Sequence, residues 1–334
     1  MAILHLLRAI TRTGAVLLLA TLAVALAGCG SPADDLLLPT LEPATPTGLA
    51  PTATVEFMGL LTGDSAPLRQ PVGVAVDSQS NIYVVESGTF GIRKFDWQGQ
   101  LVTQWGGRGK GDGQFLIVGL GGIAIDAQDN VYITDTGNKR IQKFDKDGHF
   151  LLKWGKRGTK DGEFTNPIAV AVDQQGNVYV LEDVNSSLQK FDPNGKFLAK
   201  WGGRGIADGQ FNNPIDVAVD SQGNIYVADR GNERIQKLGP DGQFLARWDG
   251  CPKDQMTAPL AVATDSHDNV YVSDATRDRL CKFDSNGKFL ATWGGTGTGN
   301  GQFDVPFDLV VDSKNTVYVI DYNHNRIQIF HQPL

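Results

Sequence analysis

Two carboxylates interrupt a row of small residues in this 334-residue sequence. The row recurs at intervals of 45 to 49 residues and consists of Gly73, Gly122, Ala169, Asp216, Ala261 and Asp308. A structural feature is needed in every repeat and a binding site in only one part of a protein, so departures from the repeat are the better functional candidates. Asp216 and Asp308 could bind a divalent cation such as calcium or zinc, or a basic group of a ligand. The alternative interpretation is that both are solvated charges.

Basic residues concentrate in the polar segments of the first three repeats. They are Arg108, Lys110, Lys139, Arg140, Lys156, Arg157, Lys160 and Arg204, whereas the corresponding segment at residues 294–304 contains none. A positive sector opposite a neutral or acidic one can steer an anionic partner such as a glycan, a lipid headgroup or an acidic protein. Nearby acidic residues dilute this charge, so a merely solvated surface is the alternative interpretation.

A second acidic row ends the predicted second strands of the repeats. It consists of Glu86, Asp135, Glu182, Asp229, Asp274 and Asp321, and in four repeats an arginine follows five residues later: Arg140, Arg234, Arg279 or Arg326. This repetition favours internal ion pairs over ligand contacts. Gly91 and Ser187 replace the arginine in the first and third repeats, so Glu86 and Glu182 lack that partner and remain candidates for ligand binding.

Residues suited to catalysis are few. Of the histidines after the N-terminal segment, only His324 is expected on the same face as the basic segments, because His149 and His267 fall in turns of the opposite face. One imidazole is not a metal site, and the sequence contains no phosphate loop or nucleophile elbow. An enzyme would have to use Asp216, Asp308 and His324.

The residues above are positioned by a sixfold repeat. Its aspartates are Asp77, Asp126, Asp173, Asp220, Asp265 and Asp312, each ending a short apolar run, with Asn or Thr four residues later. Such aspartates accept hydrogen bonds from backbone N–H groups of the following turn. The segments between them alternate apolar and polar residues over four to six positions, which indicates four antiparallel strands per repeat.

Sheets of this size bury their faces by packing radially, so we predict an all-β, six-bladed β-propeller. The sixth repeat ends after its third strand, and residues 55–59 have the position of an isolated outer strand. We therefore predict that this N-terminal strand completes the last blade and closes the ring, which removes an open sheet edge.

Several segments resemble NHL repeats, over about residues 55–334. They include residues 224–229 (NIYVAD), 231–237 (GNERIQK) and 208–211 (DGQF). The resemblance implies a propeller that is either a binding module or a relative of six-bladed lyases and of lactonases with a metal in the channel.

The N-terminal segment resembles a bacterial lipoprotein signal. Arg8 and Arg12 precede the apolar residues 15–26, and Cys29 follows a Leu-Ala-Gly sequence. We predict a signal peptide at residues 1–28, lipidation of Cys29 and a Pro/Thr-rich disordered tether at residues 29–54. The protein would then be exported and anchored at the extracytoplasmic side of the cell envelope. In that oxidising compartment, Cys251 and Cys281 could form a disulfide.

The leading hypothesis is a monomeric, membrane-anchored binding or scaffold propeller that recognises a protein or glycan and carries no cofactor. The net charge of −7 argues against a nucleic-acid partner, because phosphate binding needs clustered positive charge. The alternative is a propeller lyase or lactonase-like hydrolase with a divalent metal at the channel mouth.

Overall fold

The computed structural model describes residues 55–63, 67–251 and 254–332. The signal peptide, the lipidation site Cys29 and the tether predicted for residues 1–54 lie outside the described residues. Within the described ranges, no helix has the length and hydropathy needed to cross a membrane.

The described chain forms six four-stranded antiparallel sheets, which are the blades of a propeller. An isolated first strand, β1, covers Glu56–Leu61. Blade 1 contains β2 (Pro71–Val76), β3 (Ile82–Glu86), β4 (Gly91–Phe95) and β5 (Leu101–Gly106). Blade 2 contains β6 (Ile123–Ile125), β7 (Val131–Asp135), β8 (Arg140–Phe144) and β9 (Phe150–Trp154). Blade 3 contains β10 (Pro167–Val172), β11 (Val178–Glu182), β12 (Ser187–Phe191) and β13 (Phe197–Gly202).

The second half of the ring follows the same plan. Blade 4 contains β14 (Asp216–Val219), β15 (Ile225–Asp229), β16 (Arg234–Leu238) and β17 (Phe244–Trp248). A short ribbon of β18 (Gly250–Cys251) and β19 (Asp254–Gln255) leads to blade 5, which contains β20 (Pro259–Thr264), β21 (Val270–Asp274), β22 (Arg279–Phe283) and β23 (Phe289–Gly294). Blade 6 contains β24 (Pro306–Val311), β25 (Thr316–Asp321) and β26 (Arg326–His331). Two 3₁₀ turns, Arg230–Asn232 and Tyr322–His324, follow β15 and β25.

The ring closes as the sequence predicts. The strand order β1-β26-β25-β24 places β1 as the outer strand of blade 6, with Phe57 opposite Phe330 and Leu61 opposite Ile327. The inner strand β24 also contacts β2 of blade 1, which completes the circle of inner strands. The closing strand runs over residues 56–61 and is therefore slightly longer than the predicted 55–59. This confirms an all-β, six-bladed propeller.

The strand sequences explain which parts of each blade are buried. The second strands, such as β15 with the sequence IYVAD, are buried along their whole length because both of their faces contact neighbouring blades. The outer strands alternate between exposed and half-buried residues, as in β17. The apolar core consequently lies between the blades, around the inner, second and third strands.

The aspartates that end the inner strands are structural. Asp220 accepts hydrogen bonds from the backbone N–H groups of Gln222 and Asn224, from the Asn224 amide and from the Tyr226 hydroxyl. Lys237 lies 5.3 Å from the centroid of the Tyr226 ring and reinforces this cluster. The equivalent aspartates of the other blades make the same turn contacts, so this row is not a metal array.

Outer-strand tryptophans join successive blades. Trp201 of blade 3 packs over the turn at Gly242 of blade 4, where an added Cβ would lie only 2.2 Å from the indole ring. Gly242 also has a φ of 82°, which favours glycine. Cys251 and Cys281 form a disulfide that ties the ribbon before blade 5 to the third strand of that blade, as the sequence had allowed.

Candidate functional site

Two sets of connections form one face of the propeller, which we call the loop face. One set joins each outer strand to the next inner strand, and the other joins each second strand to the third. The turns after the inner strands and after the third strands lie on the opposite face, because successive antiparallel strands reverse direction. The basic segments and the starts of the inner strands therefore share the loop face.

Four of the six acidic residues that end the second strands form ion pairs with the arginine five residues later in their own blade. Asp135 accepts a hydrogen bond from Arg140 Nε at 2.7 Å, and Arg140 also donates to the carbonyl groups of Gly111 and Gln114. The same carboxylate–arginine pair recurs in blades 4, 5 and 6. These contacts bury Arg140, which separates it from the other predicted basic residues and gives it a structural role.

Glu86 and Glu182 have internal partners despite lacking that arginine. Glu86 Oε1 lies 2.6 Å from Arg93 Nη2, because an arginine on the third strand replaces the one missing at position 91. Glu182 accepts hydrogen bonds from the backbone and hydroxyl of Thr165 and from Gln189. Both glutamates are almost completely buried, so their carboxylates stabilise the loops of their own blades.

His324 belongs to a similar internal network. Its Nδ1 lies 2.9 Å from Asp321 Oδ2, an oxygen that also accepts hydrogen bonds from Arg326 and Gln328. Among the described residues, no three acidic, histidine or cysteine side chains form a group suited to a metal ion. The structure thus does not bring His324 together with Asp216 and Asp308 in one metal-binding group.

Asp216 and Asp308 each link their own blade to the next one. Asp216 Oδ2 accepts the backbone N–H of Val262 in blade 5 at 2.8 Å. Asp308 Oδ2 accepts the backbone N–H of Val74 in blade 1 at the same distance. Each carboxylate also accepts the N–H of the following residue. The two aspartates therefore act as hydrogen-bonded clamps between inner strands that line the central channel.

The electrostatics of this pair differ from those of surface aspartates. Both side chains retain some solvent exposure, but protein surrounds them on most sides. Desolvation raises the pKa of Asp308 to about 7. Desolvation, together with the nearby charge of Asp308, raises the pKa of Asp216 well above its usual value. At neutral pH the pair consequently retains a proton and offers hydrogen-bond donor as well as acceptor capacity.

A further ring of side chains surrounds the channel mouth, at the residue that follows each second strand. Its members are Ser87, Thr136, Asp183, Arg230, Ala275 and Tyr322. The Thr136 hydroxyl lies within hydrogen-bond distance of the carbonyl oxygens of Leu120, at 3.0 Å, and Pro167, at 2.9 Å. Asp183 accepts a hydrogen bond from Asn166, so this position faces the starts of the inner strands. Arg230 and Tyr322 differ from the residues at the same position of the other repeats, as Asp216 and Asp308 do in their own row. Sequence comparison of this position among the repeats would have found them.

Arg230 and Tyr322 are half-buried polar residues at this mouth. No side-chain hydrogen bond or ion pair of Arg230 exists within the described part of the chain, and desolvation lowers the pKa of its guanidinium. The Tyr322 ring stacks on Phe307 with centroids 4.9 Å apart, while its hydroxyl has no hydrogen-bond partner among the described residues. Desolvation also raises the pKa of Tyr322.

The remaining predicted basic residues lie on the loop face. Exposed side chains belong to Arg108, Lys110, Lys156, Arg157, Lys160 and Arg204. Lys156 forms a 3.4 Å ion pair with Glu163. Lys139 is half-buried and donates to Asn166, and desolvation together with the charge of Arg157 lowers its pKa. The structure thus brings the predicted cations to one side of the molecule, with the exception of the buried Arg140.

Exposed aliphatic side chains accompany these cations. Val118 is 65% exposed, Val184 62% and Ile206 79%, and all three lie in loop-face connections of blades 1 to 4. A cleft of about 450 Å³ lies beside Ile206, where Trp248 and Arg247 of β17 form part of the wall. This mixture of apolar and basic groups was not anticipated from the sequence. The loops are mostly polar, so their composition did not indicate an apolar surface.

Comparison with known proteins agrees with the architecture. Residues 120–144, 211–238 and 303–330, in blades 2, 4 and 6, match the NHL repeat family. The chain contains NHL repeats. No curated protein matches the sequence.

Solved structures with the same fold have varied functions. The chain is similar to virginiamycin B lyase from Staphylococcus aureus, with a TM-score of 0.56 and 12% identity over 84% of this chain and 99% of the lyase. It is similar to a gluconolactonase from Xanthomonas campestris, with a TM-score of 0.58 and 17% identity over 87% of this chain and 99% of that one. A chain of a nidogen/laminin complex gives a TM-score of 0.52 and 20% identity over 68% of this chain and 80% of that one. At these identities the similarity shows the fold alone.

Proposed function

We propose that this protein is a monomeric binding propeller of the cell envelope whose loop face recognises a protein or glycan. The observation that carries the proposal is the exposure of Val118, Val184 and Ile206 on the face that also presents the loop cations. Exposed aliphatic groups beside positive charge are typical of surfaces that contact a partner. The cleft beside Ile206 offers a pocket for a side chain or sugar ring of that partner.

The exposed cations contribute mainly to the rate of association. Arg108, Arg157 and Arg204 lie in the connections after blades 1, 2 and 3 and are exposed to solvent. Charges at the rim of an interface steer an oppositely charged partner and are screened by salt. We therefore expect an acidic protein or an acidic glycan, bound more slowly at high ionic strength.

Anchoring at the extracytoplasmic side of the envelope is part of the proposal. The Cys251–Cys281 disulfide supports it, because such bonds persist in oxidising compartments. The lipoprotein-like sequence that ends at Cys29 supports it from the sequence. Radiolabelled fatty acid should be incorporated into the protein in cells and lost in a Cys29→Ala variant; equal labelling of that variant would contradict lipidation at this residue.

The partner surface is tested by reversing its charge. A triple variant Arg108→Glu, Lys156→Glu and Arg157→Glu should reduce crosslinked partner recovered from intact cells by about tenfold or more. A matched control reverses three exposed lysines of the opposite face, Lys146, Lys196 and Lys288, with the same change in net charge.

Ile206→Ser tests the apolar part of the surface without changing the charge. Recovery of the partner should fall in this variant also, because the exposed aliphatic group is lost. Equal recovery from the wild type and both loop-face variants would refute the proposed surface. Equal losses in the opposite-face control would show that the charge effect is not specific to this face.

A lyase or lactonase-like hydrolase with a channel metal is the second candidate. The observation that favours it is the pair Asp216 and Asp308 in the channel, the part of the fold where a substrate would enter, because desolvation raises the pKa of both carboxyl groups. The fit to calcium or zinc is poor, because each carboxylate already accepts two backbone N–H groups. Calorimetric titration with either ion should give binding that Asp216→Asn abolishes; no binding to the wild type would eliminate this candidate.

A further inference from the structure

We propose that the mouth of the central channel binds a small organic acid, independently of any partner on the loop face. In this site Arg230 and Tyr322 bind the carboxylate of the ligand. Asp216 and Asp308, deeper in the channel, exchange hydrogen bonds with hydroxyl or ammonium groups on the same molecule. The ligand class is therefore a hydroxy acid or an amino acid.

The Arg230 guanidinium is the primary anion-binding group. It is half-buried, yet it has no side-chain hydrogen bond or ion pair within the described ranges. Other buried arginines of the blades, such as Arg140 and Arg234, are paired with carboxylates. Desolvation alone shifts the pKa of Arg230, with no contribution from a neighbouring carboxylate. A partly desolvated guanidinium without a counterion provides a strong site for a bidentate carboxylate.

Tyr322 supplies a second donor at the equivalent position of blade 6. Its ring is held against Phe307, so the hydroxyl has a defined direction although it has no partner among the described residues. A half-buried phenol without a hydrogen-bond partner gains free energy when a ligand oxygen supplies one. The ring of Tyr322 also adds apolar surface to the channel mouth.

The sheet register places each channel aspartate close in sequence level to a residue of the mouth in the same blade. Asp216 pairs with Ala228 in the sheet register, two residues before Arg230. Asp308 lies in the bulge of β24 opposite Ile320, two residues before Tyr322. Arg230 and Tyr322 each begin a 3₁₀ turn directly after the second strand, so each of them lies beyond the level of the aspartate in its own blade, toward the loop face.

Blade 5 carries no polar or long side chain at the equivalent positions, and Ala261 is buried. At the two positions concerned this blade, which separates blades 4 and 6, carries Ala275 and Ala261. The charges are also complementary, because Arg230 balances the carboxylate of the ligand. The ionised oxygens of the channel pair accept from hydroxyl or ammonium groups of the ligand, and the protonated carboxyl can donate to a hydroxyl oxygen.

The site is tested by titrating the purified protein with defined acids, using ligand-observed saturation-transfer NMR and calorimetry. The probes are glucuronate, with hydroxyl groups, and β-alanine, with an ammonium group. Acetate carries only the anion, and glucose carries only the hydroxyl groups. Glucuronate or β-alanine should bind more tightly than acetate, and glucose should not bind. The probe that binds more tightly shows whether the channel carboxylates prefer hydroxyl or ammonium donors.

Variants assign the binding to the named groups. Arg230→Gln should weaken the better probe by about tenfold to a hundredfold, the usual effect of losing a charged hydrogen bond. Tyr322→Phe keeps the stacking on Phe307 and should weaken binding by about three- to tenfold. Lys196→Gln removes one positive charge from the opposite face and should leave affinity unchanged.

The results can also overturn the site. Absence of binding by both glucuronate and β-alanine at millimolar concentration would refute it. Equal affinity of the wild type and Arg230→Gln would refute it as well. Glucose binding as tightly as glucuronate would show that no anion is recognised. None of these outcomes depends on capture of a partner by the loop face, so a failure here is distinguishable from a failure of the proposed function.

Discussion

The replacement Asp308→Asn should make the protein progressively more stable than the wild type as the pH is raised. Asp308 has an ordinary pKa of 3.8, which burial raises to about 7 in the folded protein. Between these values the folded state binds more protons than the unfolded chain, so the free energy of unfolding falls as the pH rises. The stabilisation by the bound proton is complete below the unfolded value and is lost as the pH rises through the folded value.

The magnitude follows from the size of this pKa shift. One pKa unit corresponds to about 1.36 kcal/mol, so a shift of roughly three units removes up to about 4 kcal/mol of stability between acid and neutral pH. Solvent in the channel screens part of this effect, which makes the figure an upper value. The variant also loses one backbone hydrogen bond, which costs about 1 kcal/mol at every pH.

Coupling to Asp216 adds to the effect in the same direction. The charge of Asp308 is one of the causes that raise the pKa of Asp216, so its removal lowers that pKa and stabilises the ionised form of Asp216. The double variant Asp216→Asn with Asp308→Asn should therefore deviate from the sum of the single variants. The deviation reports the interaction between the two carboxylates.

The assay is guanidinium denaturation followed by tryptophan fluorescence, at a series of pH values from about 4 to about 8. The stability difference between Asp308→Asn and the wild type should increase with pH by a few kcal/mol over this range. Asp161→Asn removes an exposed carboxylate and shows the effect of net charge alone. Parallel pH profiles of the wild type and Asp308→Asn would refute the reasoning.

Three further predictions concern the stability of the ring and are measured by the same denaturation assay at a fixed pH. Reduction of the Cys251–Cys281 disulfide, which spans 30 residues, should lower the free energy of unfolding by about 3–4 kcal/mol, and an unchanged midpoint would show that the bond adds no stability. Asp220→Ala should cost about 3–5 kcal/mol, because it removes four hydrogen bonds and leaves buried polar groups without partners; a loss below about 1 kcal/mol would contradict this role. Leu61→Ala, at a buried position of the closing strand, should cost about 2–4 kcal/mol, whereas a neutral effect would show that ring closure does not depend on this contact.

The contacts that recur in every blade join residues close together in the chain, so they could be predicted from the sequence. Each turn aspartate bonds to groups two to six residues further along the chain, so a short sequence window contains the whole interaction. The ion pair of Asp229 with Arg234 spans five residues and was predicted for the same reason. Closure of the ring was also predictable, because an incomplete last repeat leaves a strand edge that the N-terminal strand can cover.

The roles of the candidate functional residues could not be predicted from the repeat alone. The replacement of a missing arginine by Arg93 could not be predicted from the five-residue spacing, since Arg93 lies seven residues after Glu86. The burial of Arg140 separated it from the other loop cations, although all of them looked alike in the sequence. The lack of a side-chain hydrogen-bond partner for Arg230 and for the Tyr322 hydroxyl, among the residues that the structure describes, could be recognised only from the positions of the surrounding side chains.

The sequence by itself determined the number of blades, the strand order within each blade and the residues that build the turns, because these depend on contacts between near neighbours in the chain. Only the tertiary structure decided the role of Asp216 and Asp308. Their hydrogen bonds reach Val262, 46 residues away, and Val74, 234 residues away. Circular closure brings these distant segments side by side, and the resulting desolvation changes the protonation of the two carboxylates that line the channel.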